Sequence, residues 1–338
     1  MEAKAFYAPG SEGLLQPLSP WLNDASVSEV LINRPREVFV EQQGTMQVHS
    51  VPALDSLHLK RLFGLIANEN KQLLNEVHPL LSGNLMDGSR VQLVIPPAAR
   101  HYTLSIRRQT VASRHLSDYE EHFYRNAKPY LIDGNKSLET DSDTQLLAFY
   151  RKQCWPEFIE SAILAKKNIV ISGGTSSGKT TFLNACCQRI PQHERIITLE
   201  DTYELRLPHS NQVNLLAPKT KSETALCMQD LVQCSLRLRP DRLMMGEIRG
   251  REILDFIAAC STGHEGSMTS IHANNPQIAL MRMVQLYKLN NVPSMRDEDI
   301  LREINQVVDV IIQLQKTPNG RGISWIYFKG AAPELLMR

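Results

Sequence analysis

The chain has 338 residues, of which 42% are hydrophobic and 22% charged, a composition typical of folded proteins and long enough for two domains. Its 37 Lys and Arg residues balance 36 Asp and Glu residues, which argues against a general basic surface for nucleic acid but leaves a local patch open. No apolar run approaches the roughly 20 residues of a membrane span, and the first residues lack the pattern of a signal peptide. We therefore expect any membrane contact to be peripheral or made through a partner.

Residues 1–112 predict a small α+β domain. Short apolar or alternating runs predict strands at Val27–Ile32, Glu37–Glu41, Met46–Val51, Val91–Ile95 and Tyr102–Arg107. Apolar residues at i, i+3, i+4 and i+7 predict one helix through Leu59, Leu62, Phe63 and Ile66. In the last strand, apolar and polar residues alternate, which predicts one buried face and one polar face.

Residues 113–145 have few apolar side chains to bury and predict a linker between two domains. The linker is expected to contain a short helix and to be mobile over the polar stretch Asp133–Asp143. One or two helices, interrupted near Pro156, are expected before the first strand of the second domain, which covers residues 146–338.

Beyond residue 168, apolar strands alternate with helices, which predicts a mostly parallel sheet covered on both faces. The expected strands are Ile169–Ile171, Arg195–Leu199, Leu243–Met245 and Met268–His272, with a closing hairpin of Val307–Gln313 and Ile323–Phe328. The expected helices are Thr181–Ile190, one capped by Ser222, Arg251–Cys260, and one that begins at Pro276. The predicted fold class is α/β, with the smaller α+β domain at the N-terminus.

A glycine-rich turn follows the strand at residue 169 and matches G-x-x-x-x-G-K-[ST] through Gly173, Gly178, Lys179 and Thr180. Glycines let backbone N–H groups turn inward around an anion, and the helix N-terminus adds partial positive charge. Lys179 is expected to reach the β- and γ-phosphates, and Thr180 to offer its hydroxyl to Mg²⁺. The residues expected to bind phosphate are Gly173, Gly174, Thr175, Ser176, Ser177, Gly178, Lys179, Thr180 and Thr181. The sequence therefore predicts a nucleoside triphosphate site.

Carboxylates follow two of the predicted strands, where hydrolysis would need them to hold the Mg²⁺ shell and to orient water. Glu247 ends one strand, and the strand ends of an open α/β sheet face the ligand crevice, so Glu247 is a predicted metal and catalytic residue. Glu200, Asp201 and Glu204 end another strand, and at least one of them is expected to be catalytic. Glu204 is the preferred base because it lies beyond the strand end, but the sequence leaves that role open between Glu204 and Glu247.

Histidines, arginines and cysteines give weaker indications. His264 and His272 could hydrogen-bond a γ-phosphate, although single histidines are more often packed or surface residues. A group of arginines in the same half predicts, for most of its members, a solvated face: Arg206, Arg237, Arg239, Arg242, Arg249 and Arg251. The six cysteines include no C-x-x-C pair, so we expect them to be small core residues and not metal ligands or disulfides.

Four motifs, in this order and spacing, resemble the secretion ATPase superfamily, and most closely the traffic ATPases of type IV secretion systems (the VirB-eleven type). The matching segments are 173–180 as Walker A, 197–205 as the Asp box, 237–249 as Walker B and 263–273 as the His box. Segments 85–94 and 105–108 of the N-terminal half are also similar, so the resemblance covers roughly residues 27–315.

The resemblance implies a homohexamer whose protomers bind ATP and Mg²⁺ between the α+β domain and a RecA-like P-loop NTPase domain. It implies that Arg90 and Arg107 contact the nucleotide from the N-terminal side. It also implies that His264 and His272 lie near the γ-phosphate. The expected catalytic residues are therefore Lys179, Glu204, Glu247, His264 and His272.

The resemblance further implies a function, which is ATP hydrolysis that drives assembly of a secretion channel or movement of its substrate. The expected location is the cytoplasmic face of a bacterial inner membrane. The expected partners are other secretion-system ATPases and inner-membrane channel components, and no direct sequence-specific binding of nucleic acid is expected. The cargo, DNA or protein, stays open.

The main alternative is a type II secretion or type IV pilus ATPase, which shares the C-terminal motifs. Many of those proteins carry a CxxC…CxxC zinc insertion, which this sequence lacks. A RecA-like nucleic-acid motor would be expected to carry a basic stripe, and the near-zero net charge argues against one. A non-catalytic nucleotide-gated scaffold could do without Glu204 and Glu247, and both are present.

Overall fold

The computed structural model describes residues 10–108, 141–217, 226–317 and 320–331, which form two sheets with helices packed on them. The helices are α1 (Ser11–Leu15), α2 (Ser19–Leu22), α3 (Ser56–Glu69), α4 (Asp141–Arg151), α5 (Trp155–Leu164), α6 (Lys179–Cys187), α7 (Met228–Ser235), α8 (Glu252–Ser261), α9 (Pro276–Tyr287) and α10 (Asp297–Val307). The strands are β1 (Val27–Arg34), β2 (Glu37–Gln42), β3 (Thr45–Ser50), β4 (Leu80–Asn84), β5 (Arg90–Val94), β6 (Thr103–Arg107), β7 (Ile169–Gly173), β8 (Ile196–Glu200), β9 (Gln212–Leu216), β10 (Arg242–Met245), β11 (Met268–Ile271), β12 (Val310–Thr317) and β13 (Gly320–Phe328). Within these ranges, none of the helices is long and apolar enough to cross a membrane.

The N-terminal sheet is antiparallel and has the order β3-β2-β1-β6-β5-β4. Helix α3 packs into the core of this sheet through the four residues of the predicted apolar stripe, all of which are buried. Asp55 caps the helix, because its carboxylate accepts a hydrogen bond from the N–H of His58 at 2.8 Å. Strand β4 is not predicted from the sequence, because Ser82 and Gly83 at its centre interrupt the apolar pattern.

Strand β6 departs from the predicted alternation of a buried and a polar face. Its apolar residues are buried as expected, but Thr103 and Ser105 on the opposite face are buried too. The reason is that the C-terminal domain covers this second face of the sheet. Strand β6 contacts the 3₁₀ turn Leu236–Leu238, and the side-chain amide of Gln92 lies 3.3 Å from the sulfur of Cys234.

The C-terminal sheet has the order β13-β12-β7-β11-β10-β8-β9, with parallel neighbours except for the antiparallel hairpin β12–β13. The predicted mostly parallel sheet is therefore confirmed. Val170 of β7 belongs to one apolar cluster, whereas Ile169 and Ile171 belong to another, so both faces of the central strand are covered. The edge strand β9 is absent from the sequence prediction, because its polar residues hide the apolar pattern.

The predicted linker, residues 113–145, lies mainly outside the described residues, as does Ser222, the expected cap of α7. Helix α7 begins at Met228. Residues 141–145, the end of the predicted linker, are helical. Asp143 of α4 pairs with Lys167 at 2.6 Å, and Leu146 of α4 is fully buried, so packing holds this helix on the sheet.

Buried polar side chains join the two domains. Arg195, which precedes β8, donates hydrogen bonds to the side-chain oxygens of Asn33, at 2.7 Å, and of Asn211, at 2.5 Å. Burial lowers the pKa of Arg195 to about 9. A second bridge joins Arg239 to Glu41 of β2, with a distance of 3.0 Å between Nε and Oε2. The N-terminal domain is thus fixed to the end of the C-terminal sheet where its parallel strands begin.

Arg242 is an exception to the solvated face that is predicted for most of the arginines in this half of the chain. It is fully buried at the start of β10 and binds both carboxylate oxygens of Glu194, at 2.7 and 2.9 Å. Its NH1 group also donates to the carbonyl oxygen of Ile163 at 2.7 Å. A bidentate arginine–carboxylate pair with a further acceptor satisfies a buried charge, so Arg242 is a structural residue.

Candidate nucleotide-binding site

The phosphate loop lies between the end of β7 at Gly173 and the start of α6 at Lys179. A Cβ atom at position 173 would lie 2.4 Å from Oγ of Ser177 and 2.9 Å from the carbonyl oxygen of Leu314, so only glycine fits there. Gly178 has φ +94°, a left-handed conformation that favours glycine, and it directly precedes the helix. The strand–loop–helix context that the motif requires is therefore present.

The loop side chains differ in exposure. Thr175, Ser176 and Thr181 are exposed, whereas Gly174 and Thr180 are partly buried and Ser177 is buried. Backbone atoms and the Thr180 hydroxyl thus remain near the surface, where a nucleotide could reach them.

Lys179 is bound to its own loop. Its ammonium group donates to the carbonyl oxygens of Gly173 and Gly174 at 3.0 and 3.1 Å, and it lies 3.4 Å from Nε2 of His272. Only 8% of the residue is exposed, and burial lowers the pKa of Lys179 although Glu247 opposes the shift. The loop carbonyls therefore hold the cation at the mouth of the loop, where an anionic ligand would meet it.

Glu247 follows β10 and lies between two basic side chains. Its Oε1 is 3.2 Å from Nε2 of His272, and its Oε2 accepts a hydrogen bond from Arg249 at 2.5 Å. Arg249 also binds Asp201 at 2.6 Å, which ties the end of β10 to the end of β8. Burial lowers the pKa of His272. The charge of Glu247 opposes that shift, but Lys179 and Arg249 add to it, so the pKa stays below its usual value and the imidazole is neutral near pH 7.

The turn after β8 separates the three carboxylates of the Asp box. Glu200 is buried and accepts hydrogen bonds from the N–H groups of Glu204 and Leu205 at 2.8 and 2.7 Å. This buried carboxyl therefore holds the backbone of the turn, and burial raises the pKa of Glu200. Asp201 binds Arg249, as described above. Glu204 is exposed and is the carboxylate of this turn that remains directed toward a cleft.

That cleft, of about 640 Å³, is lined by Glu204, Thr180 and Thr181 beside the phosphate loop. Asn184 of α6 fixes its far wall, because its side chain donates to the carbonyl oxygen of Glu204 at 3.0 Å and accepts from the N–H of Arg206 at 2.7 Å. The predicted base therefore lies close to the predicted metal-binding hydroxyl.

The oxygen atoms near the loop fit Mg²⁺. This ion prefers hard oxygen donors and commonly takes only one or two from the protein, with the rest from phosphates and water. The Thr180 hydroxyl and the carboxylates of Glu247 and Glu204 are such donors. Each oxygen of Glu247 already contacts a basic side chain, Arg249 or His272. Glu247 is therefore better placed to contact the water molecules around the ion than to bind the ion directly. Among the described residues, no group of three or more His, Cys, Asp or Glu side chains could hold a metal ion.

His264 does not join this site within one chain. Strands β7 and β11 are parallel, with Ile169 beside Met268, so the loop after β7 and the residues before β11 lie at opposite ends of the strands. Those ends are roughly 13 Å apart for a strand of four residues. Nδ1 of His264 lies 3.1 Å from the carbonyl oxygen of Pro240, which precedes β10 at that far edge.

Arg90 and Arg107 lie with His264 in a second cleft, of about 650 Å³, between the two domains. Both arginines are exposed, and Arg237 and Arg239 also line the cleft, so it is strongly basic. Three residues predicted to contact nucleotide are thus brought together, but away from the phosphate loop of the same protomer.

The comparisons with known proteins agree on one family. Residues 137–319 match the family described as "Type II/IV secretion system protein". The chain is 36% identical to the type IV secretion system protein VirB11 of Brucella suis biovar 1 over 325 residues, 93% of this chain and 89% of that protein. It is 33% identical to the type IV secretion system protein PtlH of Bordetella pertussis, over 89% of each chain. The crystal structure of the Brucella suis VirB11 ATPase in complex with sulphate matches with a TM-score of 0.88 at 34% identity, over 95% of this chain and 98% of that one.

This chain belongs to the VirB11 family of type IV secretion ATPases. The predicted family and the RecA-like ATPase fold are thereby confirmed. The extent of the match to VirB11 and PtlH, across both domains, favours type IV secretion over the type II and pilus alternative.

Two residues of the candidate site, Arg249 and Asn184, are not predicted from the sequence. Arg249 is grouped there with solvated arginines, although its position two residues after Glu247 is a signal that it could reach the same strand end. Nothing in the sequence around Asn184 indicates its role, because its hydrogen-bond partners lie 20 and 22 residues further along the chain.

Proposed function

We propose that this chain is the ATP-hydrolysing motor of a bacterial type IV secretion system and that it acts as a six-membered ring. The observation that carries the proposal is the meeting of Lys179, His272 and Glu247 at one edge of the C-terminal sheet, beside the phosphate loop. A cation, a neutral imidazole and a carboxylate at a phosphate site suit phosphoryl transfer to water.

The roles of the chain's own side chains follow from their contacts. The ammonium group of Lys179 would exchange its loop carbonyls for phosphate oxygens and neutralise their charge. The neutral imidazole of His272 can donate one hydrogen bond to a γ-phosphate oxygen. Glu247 is positioned to orient the attacking water, while Glu204 is the other candidate base. Mg²⁺, held by Thr180 and the nucleotide, would supply a Lewis acid that draws charge from the phosphates.

The ring is supported by the separation of the two predicted halves of the site. Arg90 and Arg107 line the basic cleft at the far edge of the sheet and cannot reach the Lys179 of their own protomer without a large movement. A neighbouring protomer that brings its phosphate loop to this cleft would complete the site in trans. Guanidinium groups supplied by a neighbour are a common way to stabilise the charge of a transferred phosphoryl group.

A mixing experiment tests this composite site. Lys179→Ala removes the phosphate-loop cation and Arg107→Ala removes a cation of the basic cleft, so each variant alone is expected to lose ATP turnover. When the two are co-expressed, about a quarter of the contacts in a random ring join an intact loop to an intact cleft. We therefore expect activity well above that of either variant alone.

Two controls make the mixing experiment decisive. In the first control, a single chain carries both substitutions and is expressed alone. Its rings contain no contact between an intact loop and an intact cleft, so they should stay inactive. Different tags on the two chains show whether mixed rings form. Mixed rings without recovered turnover would contradict the trans arrangement, and a single-subunit mass with and without a non-hydrolysable ATP analogue would contradict the ring.

The proposed location and partners rest on the family. VirB11 and PtlH are type IV secretion proteins. For this chain we propose the cytoplasmic face of the inner membrane, with peripheral contacts to channel components and to other secretion ATPases. Direct sequence-specific binding of nucleic acid is not part of the proposal, because the chain as a whole carries no net basic excess.

A further inference from the structure

The hairpin β12–β13 extends past the end of the strand that leads into the phosphate loop. Leu314 of β12 pairs with Gly173, the last residue of β7, and three more residues of β12 continue beyond that pair. At 3.3 Å per residue they carry the hairpin about 10 Å further. Arg321, which pairs with Lys316 near the start of β13, is thereby brought beside the loop.

Arg321 touches the phosphate loop at two places. Its Nε donates a hydrogen bond to the carbonyl oxygen of Ser176 at 2.9 Å, across 145 residues of sequence. Its Cδ would lie 3.2 Å from a Cβ atom at Gly178, so the aliphatic part of the side chain covers that glycine. An otherwise exposed arginine therefore contacts the loop from its outer side.

Ser176 is the loop residue that most needs such a contact. Its φ is +60°, in the left-handed region that costs free energy for any residue with a side chain. The carbonyl of Ser176 and the N–H of Ser177 belong to one peptide plane and point in opposite directions. In this structure that N–H has only a long contact of 3.4 Å with the carbonyl oxygen of Gly174. A donor that fixes the carbonyl on the outside therefore keeps the N–H on the inside.

We propose that Arg321 is a positioning residue of the nucleotide site, which holds the Ser176 peptide so that the N–H of Ser177 faces the phosphates. This inference rests on the proposed nucleotide site and adds the C-terminal hairpin to it. The arginine acts through the loop backbone and need not touch the nucleotide. Its loss should weaken binding of the ground state and the transition state alike.

The test compares two substitutions on paired positions of the hairpin. Arg321→Met keeps the aliphatic cover over Gly178 but removes the donor, and Lys316→Met removes a neighbouring exposed cation for which no loop contact is seen. We expect Arg321→Met to weaken MgADP binding by about tenfold, the scale of a lost hydrogen bond from a charged donor. KM for ATP should rise by a similar factor with kcat within about twofold. Lys316→Met should change neither quantity.

A second background tests the mechanism. Ser176→Gly removes the cost of the left-handed conformation, so Arg321→Met should weaken MgADP binding much less in that background than in the parent chain. An equal loss in both backgrounds, an equal effect of Lys316→Met, or unchanged binding in Arg321→Met would each overturn the inference while the nucleotide site itself stands. A parent chain that binds no MgADP would instead overturn the proposed function, and this inference with it.

Discussion

The ammonium nitrogen of Lys179 lies 3.4 Å from Nε2 of His272, although 93 residues separate the two in the sequence. They meet because β7 and β11 are adjacent parallel strands, and both residues follow the carboxyl end of their strand. His272 in turn contacts Glu247, which follows β10, the next strand in the sheet. Three neighbouring strand ends thus assemble the candidate site.

Glu247→Gln is expected to keep nucleotide binding and to lose hydrolysis by about 100-fold or more, the usual contribution of a positioned base. The amide retains the shape of the carboxylate but can neither polarise water nor balance the charge of Arg249. ATP turnover and MgADP affinity are measured together. Glu265→Gln, an exposed change at the far edge of the sheet, is the matched control. Loss of binding in Glu247→Gln would mean that the residue acts mainly through the metal.

The phosphate loop and the parallel sheet could be predicted because their signals are local. Gly173, Gly178 and Lys179 stand at a fixed spacing, and each strand of the second domain is a short apolar run. The resemblance to a family then joins motifs that lie far apart in the sequence. Local pattern cannot say which face of a strand a second domain covers, which is why Thr103 and Ser105 are buried against expectation.

Contacts between side chains that lie far apart in the sequence cannot be predicted from local sequence patterns. The sequence around an arginine does not show whether its side chain faces water, as most do, or is paired in the interior like Arg242. The positions of His264 and Arg107 follow from the docking of whole domains, which no short motif encodes. The role of His264 at the γ-phosphate and the contact of Arg107 with the nucleotide stay predictions.

Arg249→Ala is expected to reduce turnover by about tenfold, because Glu247 loses one of the two contacts that orient it and small misplacements at a reacting centre are costly. The side chain is half exposed, so the free energy of unfolding should change by less than about 1 kcal/mol. Arg251→Ala, two residues further on at an exposed position, is the control. Wild-type turnover in Arg249→Ala would show that hydrolysis does not depend on the contacts of Arg249 with Asp201 and Glu247.

Arg242→Met is expected to lower the free energy of unfolding by about 3–5 kcal/mol, because it leaves the carboxylate of Glu194 buried without its bidentate partner. Denaturant unfolding of the chain without nucleotide measures the change. Arg237→Met, in the same segment but exposed, should cost less than about 0.5 kcal/mol. In the double variant Arg242→Met with Glu194→Gln the loss should be smaller than the sum of the single losses, and strict additivity would contradict a direct pair.

Glu29→Gln is expected to stabilise the chain at pH 8 but not at pH 5. Glu29 of β1 is buried, and its Oε2 finds no hydrogen-bond partner within the described part of the chain. Burial raises the pKa of Glu29 to about 7, although Arg107, 3.7 Å from Oε1, and Arg239 oppose the shift. A raised carboxyl pKa means that the folded chain binds the proton more tightly than the unfolded chain. The folded state therefore loses stability as pH rises from about 4.5 to 7, and the full penalty remains above pH 7.

Each pKa unit corresponds to about 1.4 kcal/mol, so the penalty that glutamine removes at pH 8 is at most about 3.5 kcal/mol. Denaturant midpoints of the parent chain and Glu29→Gln at pH 5 and pH 8 measure it. Glu41→Gln is the matched control on the neighbouring strand. Burial alone would raise the pKa of Glu41, but the hydrogen bonds from Arg239 and Ser28 and the nearby arginine charges together outweigh burial and lower that pKa. Because the pKa of Glu41 is lowered, its own titration should add little difference between the two pH values. A gap between Glu29→Gln and the parent chain that does not widen with pH would show that this carboxyl is ionised throughout and solvated in the basic cleft.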